Sequence, residues 1–277
     1  MGIKRSTIHL EFQGFLETPP AWYGLGPIGI PQYTTQSVSI PPGMEKELQI
    51  PEELILGKRV EYFMAFYLEN YTTACILARN LVISRDKITI GEIDFLLYDP
   101  EKEEYMHLEL VYKFYLYDPD VKNGIGRWVG PNRRDSFINK LERLKYHQLP
   151  LIYREEVEPV LKSLSIPIKK VRQQVCFKAS LFVPLEMMSC SLPIINNDCV
   201  IGYWIRMREF TEDLYGEFLF QTPRKQLWTL HPSDGEEWSD FNKISNQLQK
   251  LLQKERSPLV WMKKSEKVFL KFFIVWW

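Results

Sequence analysis

The chain has 277 residues, of which 45% are hydrophobic and 25% are charged, and these values are ordinary for a globular protein. They exclude wholesale disorder, and the length is enough for a substantial core and two modest domains. The 35 basic and 35 acidic residues cancel, so any attraction to nucleic acid must come from a local basic patch.

The first half of the chain changes character near residue 51. Residues 1–50 are rich in proline and aromatic residues, which predicts an extended arm without long helices or central strands. A helical pattern begins at Pro51, where a first-turn proline precedes two acidic residues that suit the helix dipole. A second helix is predicted at about 132–147. Between these helices we expect three strands, at about 74–84, 87–98 and 105–117.

The second half predicts a less distinctive mixture of helices and strands. We expect a short helix near 154–164, an amphipathic helix at 239–254, and strands at 174–183, 199–208, 218–230 and 268–277. The expected organisation is therefore an arm over 1–50, a helix–strand–strand–strand–helix core over 51–150 and a C-terminal α+β domain over 151–277. The fold class is α/β in the core and α+β overall.

Two acidic residues lie on neighbouring predicted strands that a short turn joins. Side chains alternate across a strand, so Asp94 shares a face with Glu92, and Glu109 shares a face with Lys113. A hairpin through residues 99–104 would bring Asp94 near Glu109. Two carboxylates and a lysine on one sheet face predict a Mg²⁺ site for phosphodiester hydrolysis. The alternative is that each acid pairs with a basic residue across the sheet.

Glu61 is the single charged residue in the apolar run 60–68. Because burial of an unpaired carboxylate is costly, its place needs an explanation. Either it lies at the rim of the helix or pairs with Lys58 or Arg59, or it projects toward the acidic cluster of the two strands and helps to hold a metal ion or water.

These residues carry a resemblance to known families. Gly-Glu-Ile-Asp-Phe-Leu-Leu at 91–97, followed by a strand with Glu109, resembles the PD-(D/E)XK nuclease core, in which a helix carries glutamate, a strand carries aspartate and the next strand carries Glu-x-Lys. Glu61, Asp94 and Glu109 fall on those positions in order. The bacterial domain-of-unknown-function family 1853 is also similar to this chain, over residues 109–116, 130–135 and 140–149.

The resemblance implies a restriction-endonuclease-like core and a nuclease that depends on Mg²⁺ or Mn²⁺. It implies Asp94 and Glu109 as metal ligands and Glu61 and Lys113 as further catalytic residues. One departure is that Val111 takes the usual lysine position, and Lys113 lies four residues after the glutamate, about 13 Å away instead of about 6.6 Å. If Lys113 does not reach, Lys140 or Lys145 would substitute.

Residues 122–147 supply the local basic patch, with seven basic side chains against two acidic ones. Asn132 is predicted to cap the second helix, where free backbone N–H groups beside two arginines would bind phosphate. Trp128 is expected to stack on a base. The alternative is a solvated basic helix face. The candidate DNA- or RNA-binding residues are Arg127, Trp128, Asn132, Arg133, Arg134, Lys140, Arg143 and Gln148.

Two functions therefore remain open. The first is a Mg²⁺-dependent nuclease, and the second is a catalytically inactive relative that binds nucleic acid or a protein partner. The four cysteines have no paired or metal-ligand spacing, and no signal peptide or membrane-spanning run is visible. We therefore expect reduced thiols in a cytoplasmic protein without a membrane partner.

Overall fold

The structure is a computed structural model that describes residues 7–41, 43, 47–122, 124–190, 192 and 195–277. Within this part of the chain the fold is mixed α/β, with a nine-stranded sheet and six α-helices. No described helix is both long enough and apolar enough to cross a membrane. The elements in chain order are α1 (Ile8–Glu17), α2 (Leu56–Tyr71), β1 (Cys75–Arg85), β2 (Ile88–Asp99), β3 (Glu104–Tyr117), β4 (Trp128–Val129), α3 (Phe137–Arg143), α4 (Glu158–Ser163), β5 (Val171–Pro184), β6 (Val200–Arg206), α5 (Glu212–Tyr215), β7 (Leu219–Gln221), α6 (Phe241–Leu252), β8 (Leu259–Lys263) and β9 (Phe269–Val275).

The chain forms two compact units, each assembled from separated segments, and β3 and β5 contribute residues to both. The described residues of unit 1 come from Met1–His9, Pro20–Tyr112 and Asn139–Lys178. Those of unit 2 come from Leu10–Pro19, Lys113–Ile138 and Ala179–Trp277.

Unit 1 contains the hairpin that the sequence predicted through residues 99–104 and a second one between β1 and β2. The strands β1, β2 and β3 form an antiparallel series, and all their ends lie within one residue of the predicted ones. Asp86 and Lys87 join β1 to β2 with φ values of 50° and 66°. Two successive residues with positive φ match the right-handed twist of a hairpin, so the turn fixes the register of β2.

A cluster of apolar side chains holds the segment after α3 against β2 in unit 1. Ile93 and Leu96 of β2 are buried together with Leu151, Ile152 and Val157. Burial of each such side chain contributes about 1.5–3 kcal/mol, so the backbone near residue 150 has a fixed position beside β2. This packing places the polar end of the preceding helix beside Asp94.

Unit 2 contains the parallel part of the sheet. The strand β6 pairs in parallel with β5 and β9, and β8 pairs antiparallel with β9 and β7. The helix α6 buries Ile244 and Leu248 in a cluster with Phe220, Val260 and Phe272. This is the amphipathic helix that the sequence predicted at 239–254, and its polar face is solvated.

Several element predictions were wrong. Residues 8–17 form α1 within the predicted extended arm, because the prolines of that region begin only after the helix ends. Residues 1–6, 42 and 44–46 of the arm lie outside the described residues. The first helix does not begin at Pro51, since residues 51–53 form a turn in which Leu54 N–H donates to the Pro51 carbonyl. In the predicted strand 218–230 only Leu219–Gln221 is extended, and β8 was not predicted.

Candidate functional site

Asp94 and Glu109 lie on β2 and β3, each next to the last observed pair of the two strands. Phe95 pairs with Leu108 in the antiparallel register, and continuation of that register would place Asp94 beside Glu109. The Asp94 Oδ2 accepts a hydrogen bond of 2.8 Å from the Leu110 N–H of the neighbouring strand. The Asp94 side chain thus contacts the backbone of β3 at the residue that follows Glu109.

The Asp94 carboxyl has an unusual environment. Burial, followed by the negative charge of Glu109, raises its pKa to about 8, and Glu61 adds to this effect. The hydrogen bond from Leu110 and the positive charge of Lys140 act in the opposite direction. All three predicted acids therefore interact at Asp94, and a neighbouring cation would relieve their repulsion.

Glu109 is fully buried, and both of its oxygens accept hydrogen bonds. The His107 Nε2 lies 2.9 Å from Oε1, and the Gln148 side-chain amide donates to Oε2. The Gln173 amide nitrogen lies 3.0 Å from His107 Nδ1 and donates to the Leu149 carbonyl at 2.6 Å. An amide nitrogen only donates, so Nδ1 is the acceptor and the protonated Nε2 faces Glu109.

Glu61 combines the two interpretations that the sequence left open. Its carboxylate accepts hydrogen bonds of 2.9 Å from both Lys58 and Asn80, and Lys58 also pairs with Glu92 at 3.0 Å. Burial raises the pKa of Glu61, while Lys58 and Asn80 partly oppose that effect. Glu61 is thus both paired with a lysine and close enough to influence Asp94.

The structure brings Lys140 to the site through Gln148. The Lys140 Nζ donates to the Gln148 Oε1 at 2.6 Å, and the same amide donates to Glu109. Lys113 belongs to unit 2, where its Nζ donates to Asp135 Oδ2 at 2.6 Å. Lys145 is exposed, with its Nζ 5.4 Å from the centre of the Tyr146 ring.

A cavity of about 200 Å³ opens beside Asp94 within unit 1. Its wall combines acidic, basic and apolar side chains from α2, β2 and the segment after α3. The lining residues are Lys58, Glu61, Ile90, Gly91, Glu92, Asp94, Arg143, His147, Gln148 and Leu151. Glu61 and Asp94, two of the acids that the sequence singled out, therefore line one cavity that is partly open to solvent.

A family model with the description "Domain of unknown function (DUF1853)" matches residues 36–270. The chain belongs to the DUF1853 family. The match covers all residues of the site described above, and it confirms the resemblance to family 1853. The family description states no activity, so the function must be argued from the site. Comparison with curated proteins found no match, and comparison with solved structures found none.

The donor set of this DUF1853 chain suits a hard cation. Within the described part of the chain, no group of three or more His, Cys, Asp or Glu side chains could hold a metal ion. However, Mg²⁺ is commonly held by one or two carboxylates together with waters and substrate phosphates. The half-buried Asp94 and the buried Glu109, with mutual repulsion that raises the Asp94 pKa, fit that mode.

Two predictions for the basic patch were wrong. Trp128 is only 2% exposed and packs edge-on against Tyr117, so its ring is not accessible to a base. Asn132 does not cap a helix, because the turn at Gly130 delays the start of α3 to Phe137. The Asn132 Oδ1 instead accepts the Ser257 N–H at 2.9 Å.

The arginines of the predicted patch differ in their side-chain partners. Arg133 pairs with the buried Asp118 and lies 4.2 Å from the Trp277 ring centre. Arg127 donates to the Tyr117 hydroxyl and to a backbone carbonyl. Arg134 is exposed, and its guanidinium has no partner among the described residues. Lys140, Arg143 and Gln148 belong to unit 1, so the predicted patch is divided between the two units.

Several site residues were not predicted. His107 could have been found, because it alternates onto the same strand face as Glu109. Gln173 and Asn80 carry no local signal, since their roles arise from contacts with residues 66 and 19 positions away in the chain. Only the three-dimensional fold identifies such partners.

Proposed function

We propose that this DUF1853 chain is a divalent-metal-dependent nuclease of the PD-(D/E)XK type that hydrolyses phosphodiester bonds in DNA or RNA. The observation that supports it most directly is the pair of the half-buried Asp94 and the buried Glu109, in which desolvation and the Glu109 charge raise the Asp94 pKa. Perturbed carboxylates beside a cavity are typical of functional sites. Structural ion pairs would have left each acid with its own basic partner.

Each residue of the proposed site has a distinct role. Asp94 and Glu109 would hold Mg²⁺ or Mn²⁺, which when bound neutralises phosphate charge and activates water. His107 and Gln148 fix the orientation of the Glu109 carboxylate through its two oxygens. Lys140, held by Gln148, supplies positive charge near the reacting phosphate, because Val111 and not lysine lies two residues after Glu109.

A second candidate function is a nuclease fold that binds nucleic acid or a protein partner without catalysis. Its support is the ion pair between Lys113 and Asp135, which occupies the lysine that the sequence resemblance assigned to catalysis. In this case Asp94 and Glu109 would serve a binding site, and the chain would not hydrolyse phosphodiesters with any divalent ion.

A cleavage assay distinguishes the two functions. Labelled single-stranded and duplex DNA and RNA are incubated with the wild-type chain in Mg²⁺, in Mn²⁺ and in a chelator. We expect metal-dependent cleavage that Asp94→Asn lowers by about 10³-fold, because the variant removes a charged ligand of the metal. Glu92→Gln is the matched control, since Glu92 lines the same cavity from the same strand but pairs with Lys58.

The outcomes are separable. Cleavage that survives Asp94→Asn would contradict the site assignment. Cleavage that falls equally in Glu92→Gln would point to a general effect of removing negative charge. No cleavage under any divalent ion, with nucleic-acid binding retained, would favour the binding function.

A further inference from the structure

Arg143 and His147 face the cavity beside Asp94 without partners. Both residues line it, and neither side chain has a hydrogen bond or ion pair among the described residues. This is notable because Glu61, Glu92 and Asp94 line the same space. Two basic side chains that the fold does not use for internal pairing are therefore available to an external anion.

The charges in the cavity are already partly balanced. Lys58 lies 2.9 Å from Glu61 and 3.0 Å from Glu92, so its charge is shared between two carboxylates. Among the described residues no carboxylate pairs with Arg143, and His147 adds a second hydrogen-bond donor. A ligand that carries negative charge would complete this side of the cavity.

The backbone explains why both residues point the same way. The helix α3 ends at Arg143 and continues as a π-helical segment, Leu144–Gln148. Hydrogen bonds from i to i+5 widen the turn, so residues four and five positions after Arg143 both lie near its face. Gln148 uses this position to reach Glu109, while His147 remains in the cavity. Such π segments are frequent at functional sites.

We infer that Arg143 and His147 form a subsite for a phosphate group of a nucleic-acid strand, next to the Asp94–Glu109 pair. A guanidinium binds phosphate through two parallel hydrogen bonds, and an imidazole donates one more. The cavity of about 200 Å³ is smaller than sites for drug-sized ligands, which suits a phosphate group better than a whole base pair. The inference rests on the proposed nuclease function, since it places the strand beside the reacting atoms.

The test measures binding without metal, so it does not depend on catalysis. The probe is a fluorescein-labelled oligothymidylate of about 12 nucleotides, titrated with protein in a chelator and followed by anisotropy. We expect Arg143→Gln to weaken binding about tenfold and His147→Gln about threefold. The slope of log affinity against log salt should fall by roughly 0.7 in Arg143→Gln, as for the loss of one phosphate contact on a single strand.

Lys145→Gln is the matched control. Lys145 is an exposed cation on the same π segment, but it does not line the cavity. We expect it to change affinity by less than about twofold. Equal losses in Arg143→Gln and Lys145→Gln would overturn the subsite, because they would show only a general effect of positive charge.

Two further arms identify the source of the phosphate and separate the proposals. If an unlabelled 5′-phosphorylated strand displaces the probe more strongly than its unphosphorylated form, the subsite binds a terminal phosphate. If both strands displace the probe equally, it binds an internal diester. Selective loss of binding in Arg143→Gln, without cleavage under any divalent ion, would keep the subsite and reject the nuclease. Metal-dependent cleavage by the wild type, together with an unchanged dissociation constant in Arg143→Gln, would keep the nuclease and reject the subsite.

Discussion

The raised pKa of Asp94 makes a quantitative prediction for the substitution Asp94→Asn. Burial and Glu109 raise this pKa to about 8 in the folded chain, against about 3.9 for an unperturbed aspartate. Between these values the unfolded chain has released the proton while the folded chain keeps it. The folded state therefore binds more protons, and its stability falls as pH rises through this window.

The magnitude follows from the same linkage. Each pH unit within the window lowers the free energy of unfolding by about 1.4 kcal/mol, so a rise from about pH 6 to about pH 7.5 lowers it by about 2 kcal/mol. Asparagine has the same shape, stays neutral and can still accept the Leu110 N–H through its side-chain oxygen. We expect Asp94→Asn to lack the fall in unfolding free energy that titration of Asp94 causes. The variant should therefore become more stable relative to the wild type as pH rises.

The assay is urea unfolding of both proteins at several pH values in a chelator, followed by far-ultraviolet circular dichroism. Titration of other groups, including Glu61, is present in both proteins and largely cancels in the difference. If the difference in unfolding free energy between the wild type and Asp94→Asn stays constant over this pH range, the raised pKa of Asp94 is refuted. In saturating Mg²⁺ the wild type should gain stability at about pH 8, and Asp94→Asn should gain much less.

Four further substitutions test the fold by chemical denaturation. Gly14→Ala in α1 should destabilise the protein by about 1–3 kcal/mol, because the new Cβ would overlap a backbone carbonyl. Gly57→Ala in α2 should stabilise it by up to about 0.5 kcal/mol, because the new Cβ meets nothing within 4 Å. Equal effects of the two substitutions would contradict the packing of α1. Arg133→Ala should cost about 2 kcal/mol, since it leaves the buried Asp118 carboxylate without its cation, and a change within about 0.5 kcal/mol would show that solvent already screens the pair. Asp240→Ala should cost about 1 kcal/mol by removing the N-cap of α6, and no loss of helical stability would contradict that cap.

The local parts of the fold were accessible from the sequence because they depend on short-range patterns. The hairpin from β2 to β3 follows from period-two alternation and a short turn, and it brings the strand segments that carry Asp94 and Glu109 together. The strand face shared by His107 and Glu109 has the same origin. These features need no knowledge of distant segments, so the central pair of the site was predictable.

Other features depend on packing between distant segments and were missed. The helix α1 was hidden by the proline-rich composition that follows it, although residues 8–17 contain no proline. The basic residues around Trp128 suggested that it stacks on a base, but its large apolar surface is buried against Tyr117. The π-helical segment after α3 has no known local signature, and it brings Gln148 to Glu109.

The absence of a lysine two residues after Glu109 on β3 can be explained by burial. Val111, at the position two residues after Glu109, is only 2% exposed, so a lysine there would have to lose most of its hydration. Lys140 instead approaches from α3, is only partly buried, and reaches the acids through the Gln148 amide. A partly hydrated ammonium costs less to place than a buried one, and its charge still lowers the Asp94 pKa. Burial at Val111 and the amide bridge through Gln148 are therefore two parts of one arrangement, in which the helix supplies the positive charge and the sheet supplies the negative charge.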